Sequence, residues 1–140
     1  MDSTTLQTDK RLGTRRNIRW TRVVIAAFLL EVVLFIVLIP IRRVFGDTVF
    51  LISVPIGCIV FGFLSGMWAV RPLRSGFLLH GVLLGILATI LYMGLLEIGR
   101  PGGIPAEVAI YGTGLFFLLN AVKIAACVAG STAKGRSAAA

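Results

Sequence analysis

The sequence predicts an all-α polytopic membrane protein: four transmembrane helices in an antiparallel bundle, with both termini on the inner side. Three observations predict it: an excess of apolar residues, four long apolar runs, and a one-sided distribution of Lys and Arg. Of the 140 residues, 57% are hydrophobic and only 14% charged. A soluble domain is about 45–50% apolar with Gly counted, and about 25% charged. The 16 Gly widen the gap on that count, and the mean hydropathy is +0.95. A soluble globular domain is excluded, and so is intrinsic disorder, which needs low hydrophobicity.

Residues 1–22 form a basic cytoplasmic segment. Lys10, Arg11, Arg15, Arg16, Arg19 and Arg22 make a cationic run suited to anionic lipid headgroups. Arg15, Arg19 and Arg22 recur at helical spacing beside Trp20, which fits a short interfacial helix. An anchor without fixed structure fits equally well. Residues 1–9 are polar and read as disordered.

The first span is 23–41, closed by Pro40 and the Arg42-Arg43 pair. Fifteen of its 19 residues are Leu, Ile, Val or Phe. Each favours insertion by roughly 0.3–0.6 kcal/mol, against roughly 2.5–3.5 kcal/mol for one central charge, so the span inserts despite Glu31. No small-x-small cleavage site follows, which makes it an uncleaved anchor rather than a secretory signal.

The second span is 48–70, with Pro55 tolerated as a mild kink. The third is 76–96, closed by the breaker cluster around Gly99, Arg100, Pro101, Gly102 and Gly103. The fourth is 106–130, and residues 131–140 read as a flexible cytoplasmic tail. Four spans make 23–130 one transmembrane domain and leave little room for an aqueous domain.

Orientation follows from the basic residues. Ten Lys and Arg fall in the N-terminal segment, the 71–74 loop and the tail, against three on the other side, Arg42, Arg43 and Arg100. The inner (plasma) membrane, N-in and C-in, is the expected setting. Trp20 and Trp68 fall at the inner interface and Tyr111 near the outer one. The Arg42-Arg43 pair is the one discordant feature.

The residues that could carry chemistry are the polar ones inside spans. Glu31 lies roughly 12 Å below the inner surface, and on the fourth span Lys123 and Asn120 lie at roughly 10 and 15 Å. Those two are i, i+3 and share a face. Glu31 is therefore bracketed in depth by a cation and an amide of another helix. Ala27, one turn before Glu31, lets that helix approach. His80, at roughly 6 Å, is close enough to water to titrate and to join the cluster, although a lone His at that depth is more often an interfacial packing residue.

Two functions are compatible with this cluster. As a polar lock, Glu31 and Lys123 set helix order and register in a non-enzymatic membrane subunit or accessory protein. Alternatively, Glu31 changes protonation in a small proton-coupled transporter or ion-conducting oligomer. Lys123 could also snorkel to the inner surface instead.

Packing motifs are plain. Gly62 and Gly66 form one GxxxG, and Gly81 and Gly85 another. Their matched depths beside a short loop predict a tight hairpin of spans two and three, with a homodimer interface as the competing use. Ala121, Ala125 and Ala129 form a small-residue face expected inside the bundle.

No HExxH, GxSxG or Walker pattern occurs. One His and two isolated Cys cannot close a zinc site. Cys58 and Cys127 fall at different depths and should not bridge. Glu97 and Glu107 sit near helix ends, Glu107 where the helix dipole favours it. No enzyme activity, cofactor or metal is expected. The pI near 10.8 reflects membrane topology, not nucleic-acid binding, for which no motif is present. The expected partners are the bilayer, anionic headgroups, and a second copy or a larger membrane complex.

Arg19-Trp20-Thr21-Arg22-Val23-Val24 with Glu31, and Leu79-His80-Gly81, carry a resemblance to small four-helix bacterial inner-membrane proteins of no assigned activity. The resemblance implies a fold but no reaction. Glu31 in the first of four short helices also resembles small multidrug transporters, in outline only. Those chains are shorter and less charge-biased, and their acidic residue has aromatic surroundings that this sequence does not show. No residue role is transferred from them.

Overall fold

The computed structural model describes residues 19–71, 73, 75–99, 104 and 106–137, with the side chains of 106, 107, 110 and 111 left aside. The expectations for residues 1–18, Arg74, the 100–103 breaker, the side chains of Glu107 and Tyr111, and the last three residues lie outside that set. The described residues form three helices and no strand: α1 (Trp20–Ala69), α2 (Phe77–Gly99) and α3 (Ala106–Ser137), the last interrupted by non-helical backbone at Gly112. Three helices are long and apolar enough to cross a membrane, rather than four. The expected first and second spans lie within the single 50-residue α1.

That element is not straight. Gly46 has φ +79° and ψ −177°, outside the helical region and in a conformation only glycine takes without strain. A straight 50-residue helix would be about 75 Å long. Instead the Arg22 guanidinium lies 5.8 Å from the Trp68 ring. A Cβ on Gly57 would lie 3.1 Å from Leu34 Cδ2. α1 therefore folds back at Gly46 into two antiparallel arms, 20–45 and 47–69.

The break at Gly46 falls inside the 42–47 interval that the sequence leaves between the first two spans, but the helix runs on past Pro40 and the Arg pair to reach it. Pro40 and Pro55 both sit inside helical arms. A proline removes one i to i−4 bond, whereas Gly46 reverses the chain.

α3 is the central element. The two glycine motifs do not pair with each other in a hairpin, as the sequence predicts; both press on α3. Gly62 faces Ala126 and Cys127, and a Cβ on Gly66 would run into the Cys127 carbonyl. From the other side, a Cβ on Gly81 would meet the Ser131 hydroxyl, and one on Gly85 would lie 2.7 Å from Ile124 Cα. α3 returns the contact: a Cβ on Gly130 would run into the Phe63 carbonyl. A GxxxG signals that some backbone comes close, not whose.

The face of α3 used is likewise not the one expected. Ala121, Ala125 and Ala129 point outward, while Lys123, Ala126, Cys127, Gly130 and Ser131 are buried. α3 also continues to Ser137, seven residues into the expected tail. Ser131 and Thr132 hydroxyls donate to the Cys127 and Val128 carbonyls. Lys134 and Arg136 in the last turn suit the negative end of the helix dipole.

The core is a narrow seam of small and medium side chains, including Ala26, Ala27, Leu30, Leu34, Leu84, Ala88 and Cys127. Large apolar residues turn outward: Ile36 is 66% exposed, Ile52 61%, Ile90 60% and Phe117 66%. Water would not tolerate so much contiguous apolar surface. A lipid solvent does, because association there rests on close packing and not on hiding oil.

Candidate functional site

The buried polar residues converge where α1, α2 and α3 meet. Glu31 projects from the first arm of α1, on the face of Ala27 and Leu34. Lys123 projects from α3, and its Nζ donates to Glu31 Oε1 at 2.7 Å. The two side chains are 1% and 5% exposed. Lys123 does not snorkel. The pair is net neutral, which is what makes two charges tolerable at this depth.

Asn120 is oriented one turn away. Its Nδ2 donates to the Phe116 carbonyl at 2.9 Å, which turns Oδ1 toward α2, where it accepts from Thr89 Oγ1 at 3.2 Å. Asn120 and Lys123 thus share a face as expected, but their hydrogen bonds tie α3 to different elements. Asn120 binds α2 and Lys123 binds α1.

α2 contributes two residues the sequence reading missed. Thr89 meets Asn120, and the Tyr92 ring lies 5.3 Å from Lys123 Nζ, within cation–π range. They are i, i+3, the same spacing as Asn120 and Lys123. That repeated spacing was a usable signal, because Thr89 and Tyr92 are the only polar side chains between Gly81 and Leu96.

Tyr92 also belongs to an aromatic collar with one ring from each helix. Phe35 stacks on Tyr92 with centroids 5.9 Å apart, and Tyr92 lies 6.2 Å from Phe116. Phe35 is one turn beyond Glu31, and Phe116 one turn before Asn120. The collar therefore lies on the Gly46 side of the ion pair. Glu31 and Asn120 each come with an aromatic at i±4, and that pairing was legible in principle.

From the ion pair past the collar toward Gly46, the helices line an open-mouthed cavity of about 560 Å³, within the usual range for ligand pockets. Glu31, Asn120 and Lys123 form its floor. Leu38, Phe50, Val54, Leu96 and Leu119 line its walls. Arg42, Arg43, Gly46 and Asp47 stand at its mouth. There Arg42 Nε donates to Asp47 Oδ1 at 2.8 Å, and the Arg42 guanidinium lies 5.4 Å from the Phe50 ring.

His80 lies away from this cluster. Its neighbour Gly81 faces Val128 and Ser131, five and eight residues along α3 from Lys123, or roughly 8–12 Å. Nδ1 lies 2.9 Å from the Gly76 carbonyl, so it bonds as the protonated nitrogen. Nε2 is buried without a partner. Cys58 and Cys127 are both buried and are not joined by a disulfide. Among the described residues, no three of His, Cys, Asp and Glu gather in a way that could hold a metal ion.

Comparison with protein-family models, with curated proteins and with solved structures finds no match in any of the three.

Proposed function

We propose that the chain is a four-span, N-in/C-in membrane protein of the inner (plasma) membrane. On this reading it is a non-enzymatic subunit or accessory protein in which Glu31 and Lys123 lock the first arm of α1 to α3. The observation that carries it is the 2.7 Å bond between two side chains at most 5% exposed. Each arm of α1 has more than 20 residues, enough to cross about 30 Å of hydrocarbon separately. Trp68, Arg22, Phe77 and Gly135 cluster at one end, in line with the inward bias of Lys and Arg.

Labelling tests the topology. Asp47→Cys should react with a membrane-impermeant maleimide from outside, and Ser75→Cys only after lysis. Reaction of both from the same side would end the four-span reading. A double-mutant cycle of Glu31→Gln and Lys123→Met, read by unfolding in detergent, tests the lock. A coupling of about 0.6–2 kcal/mol is expected, and zero coupling would refute it.

The cavity favours a second reading, proton-coupled transport through Glu31, because it reaches the ion pair from one side. Proton flux into vesicles should then be lost in Glu31→Gln. Absence of flux with the wild-type protein would remove this reading.

A further inference from the structure

We propose that the cavity holds one acyl chain of an anionic phospholipid, with the headgroup phosphate at Arg42 and Arg43. Three independent observations point there.

The first is charge. Arg42 and Arg43 are the anomaly in an otherwise one-sided distribution of basic residues, and the structure places both at the cavity mouth. Asp47 engages the Nε of Arg42, one of five donors on that guanidinium. The mouth therefore carries two cations against one carboxylate. Guanidinium groups suit phosphate oxygens through paired N–H donors. The Arg42 guanidinium is also laid against the Phe50 ring, which holds it across the opening.

The second is length. From Glu31 on the floor to Arg42 at the mouth is 11 residues, or roughly 17 Å of helix. Half of a typical hydrocarbon core is about 15 Å. A floor at mid-membrane and a mouth at headgroup level are the two ends of one lipid leaflet. A soluble ligand has no reason to match that length.

The third is the order of chemistry along the cavity. Below the guanidiniums the walls are Leu38, Phe50, Val54, Leu96 and Leu119, which offer contact to methylenes and no hydrogen bonds. The Phe35–Tyr92–Phe116 collar comes next. Its rings flank the end of the chain above the Glu31–Lys123 pair on the floor. Phosphate, methylenes and terminal methyl each meet matching groups in sequence. The inference requires the mouth to lie at a headgroup level, in whichever leaflet, and so does not depend on the direction of the four-span topology.

The test uses the full-length protein in nanodiscs of phosphatidylcholine with a minor share of phosphatidylglycerol, followed by native mass spectrometry of retained lipid. The wild type should retain one phosphatidylglycerol per chain, enriched over its share in the disc. R42Q/R43Q should lose that enrichment on the order of tenfold. Val54→Trp should lower retention of any lipid by filling the cavity. Val54→Phe, a milder filling, decides the point if the tryptophan variant does not fold. Neutralising Lys10, Arg11, Arg15 and Arg16 together should leave the retained lipid in place. Unchanged enrichment in R42Q/R43Q, or unchanged retention in both Val54 variants, would overturn the proposal. Neither result bears on the Glu31–Lys123 coupling, which is measured separately.

Discussion

Glycines at the two ends of this molecule do opposite things. At the end near Trp68 and Ser131, Gly66, Gly81 and Gly130 each lie so close to a neighbouring helix that a single added carbon would collide with it. At the other end, Gly94, Gly99, Gly112 and Gly114 face outward, with nothing among the described residues within 4 Å of where a Cβ would stand. The same three helices are in backbone contact at one end and enclose a cavity at the other. In a solvent as apolar as the side chains, packing is the main adhesive. Small residues therefore decide where the helices close, and large ones such as Phe50, Phe116 and Leu119 mark where they stay apart.

The largest expected effect comes from spoiling the closed end. Gly130→Val should lower unfolding stability in detergent by about 3 kcal/mol, because the branch meets the Phe63 backbone, which cannot yield. Gly62→Ala should cost about 1 kcal/mol in the same assay, since its nearest neighbour is the Ala126 Cβ at 3.2 Å. Equal losses at both would contradict the packing described. Next is the junction between the two ends. Lys123→Met should cost about 2 kcal/mol, because it removes the buried bond to Glu31. Adding Glu31→Gln should then change little.

At the open end the effects shrink. Val54→Leu should stay within about 1 kcal/mol of wild type, since the extra methylene enters existing space. A loss as large as that of Gly130→Val would show that the cavity does not persist in the membrane. Smallest of all, Gly94→Ala should stabilise by about 0.5–1 kcal/mol through helix propensity alone. The same change at Gly66 should destabilise, and that reversal of sign is the sharpest form of the comparison.

What could be read beforehand follows the same division. Glu31 and Lys123 were identifiable because a charge inside an apolar run is rare and costly, and because helical rise converts sequence position into depth. Helix number and partner choice were less accessible. Pro40 and the Arg pair looked like an end, yet a helix survives one lost hydrogen bond. Gly46, an inconspicuous residue between Phe45 and Asp47, makes the reversal. The GxxxG motifs were visible, but their partner was not, because smallness carries no address. Ala121, Ala125 and Ala129 show the converse: a regular small-residue stripe that faces outward. The collar of Phe35, Tyr92 and Phe116 escaped because each ring alone looks like ordinary bulk, and only the shared level on three helices makes it a feature.

The central position of α3 has a consequence for biosynthesis. It is the last of the three helices to leave the ribosome, yet both glycine motifs and Glu31 take their partners from it. Until it arrives, the two arms of α1 and α2 can pack on one another, but Gly62, Gly66, Gly81 and Gly85 lack the backbone they close upon and Glu31 lacks Lys123. Assembly is then a single late event triggered by one helix. A chain stopped before Ala106 should remain in the membrane as loosely associated segments and be removed by quality control, not persist as a partial bundle.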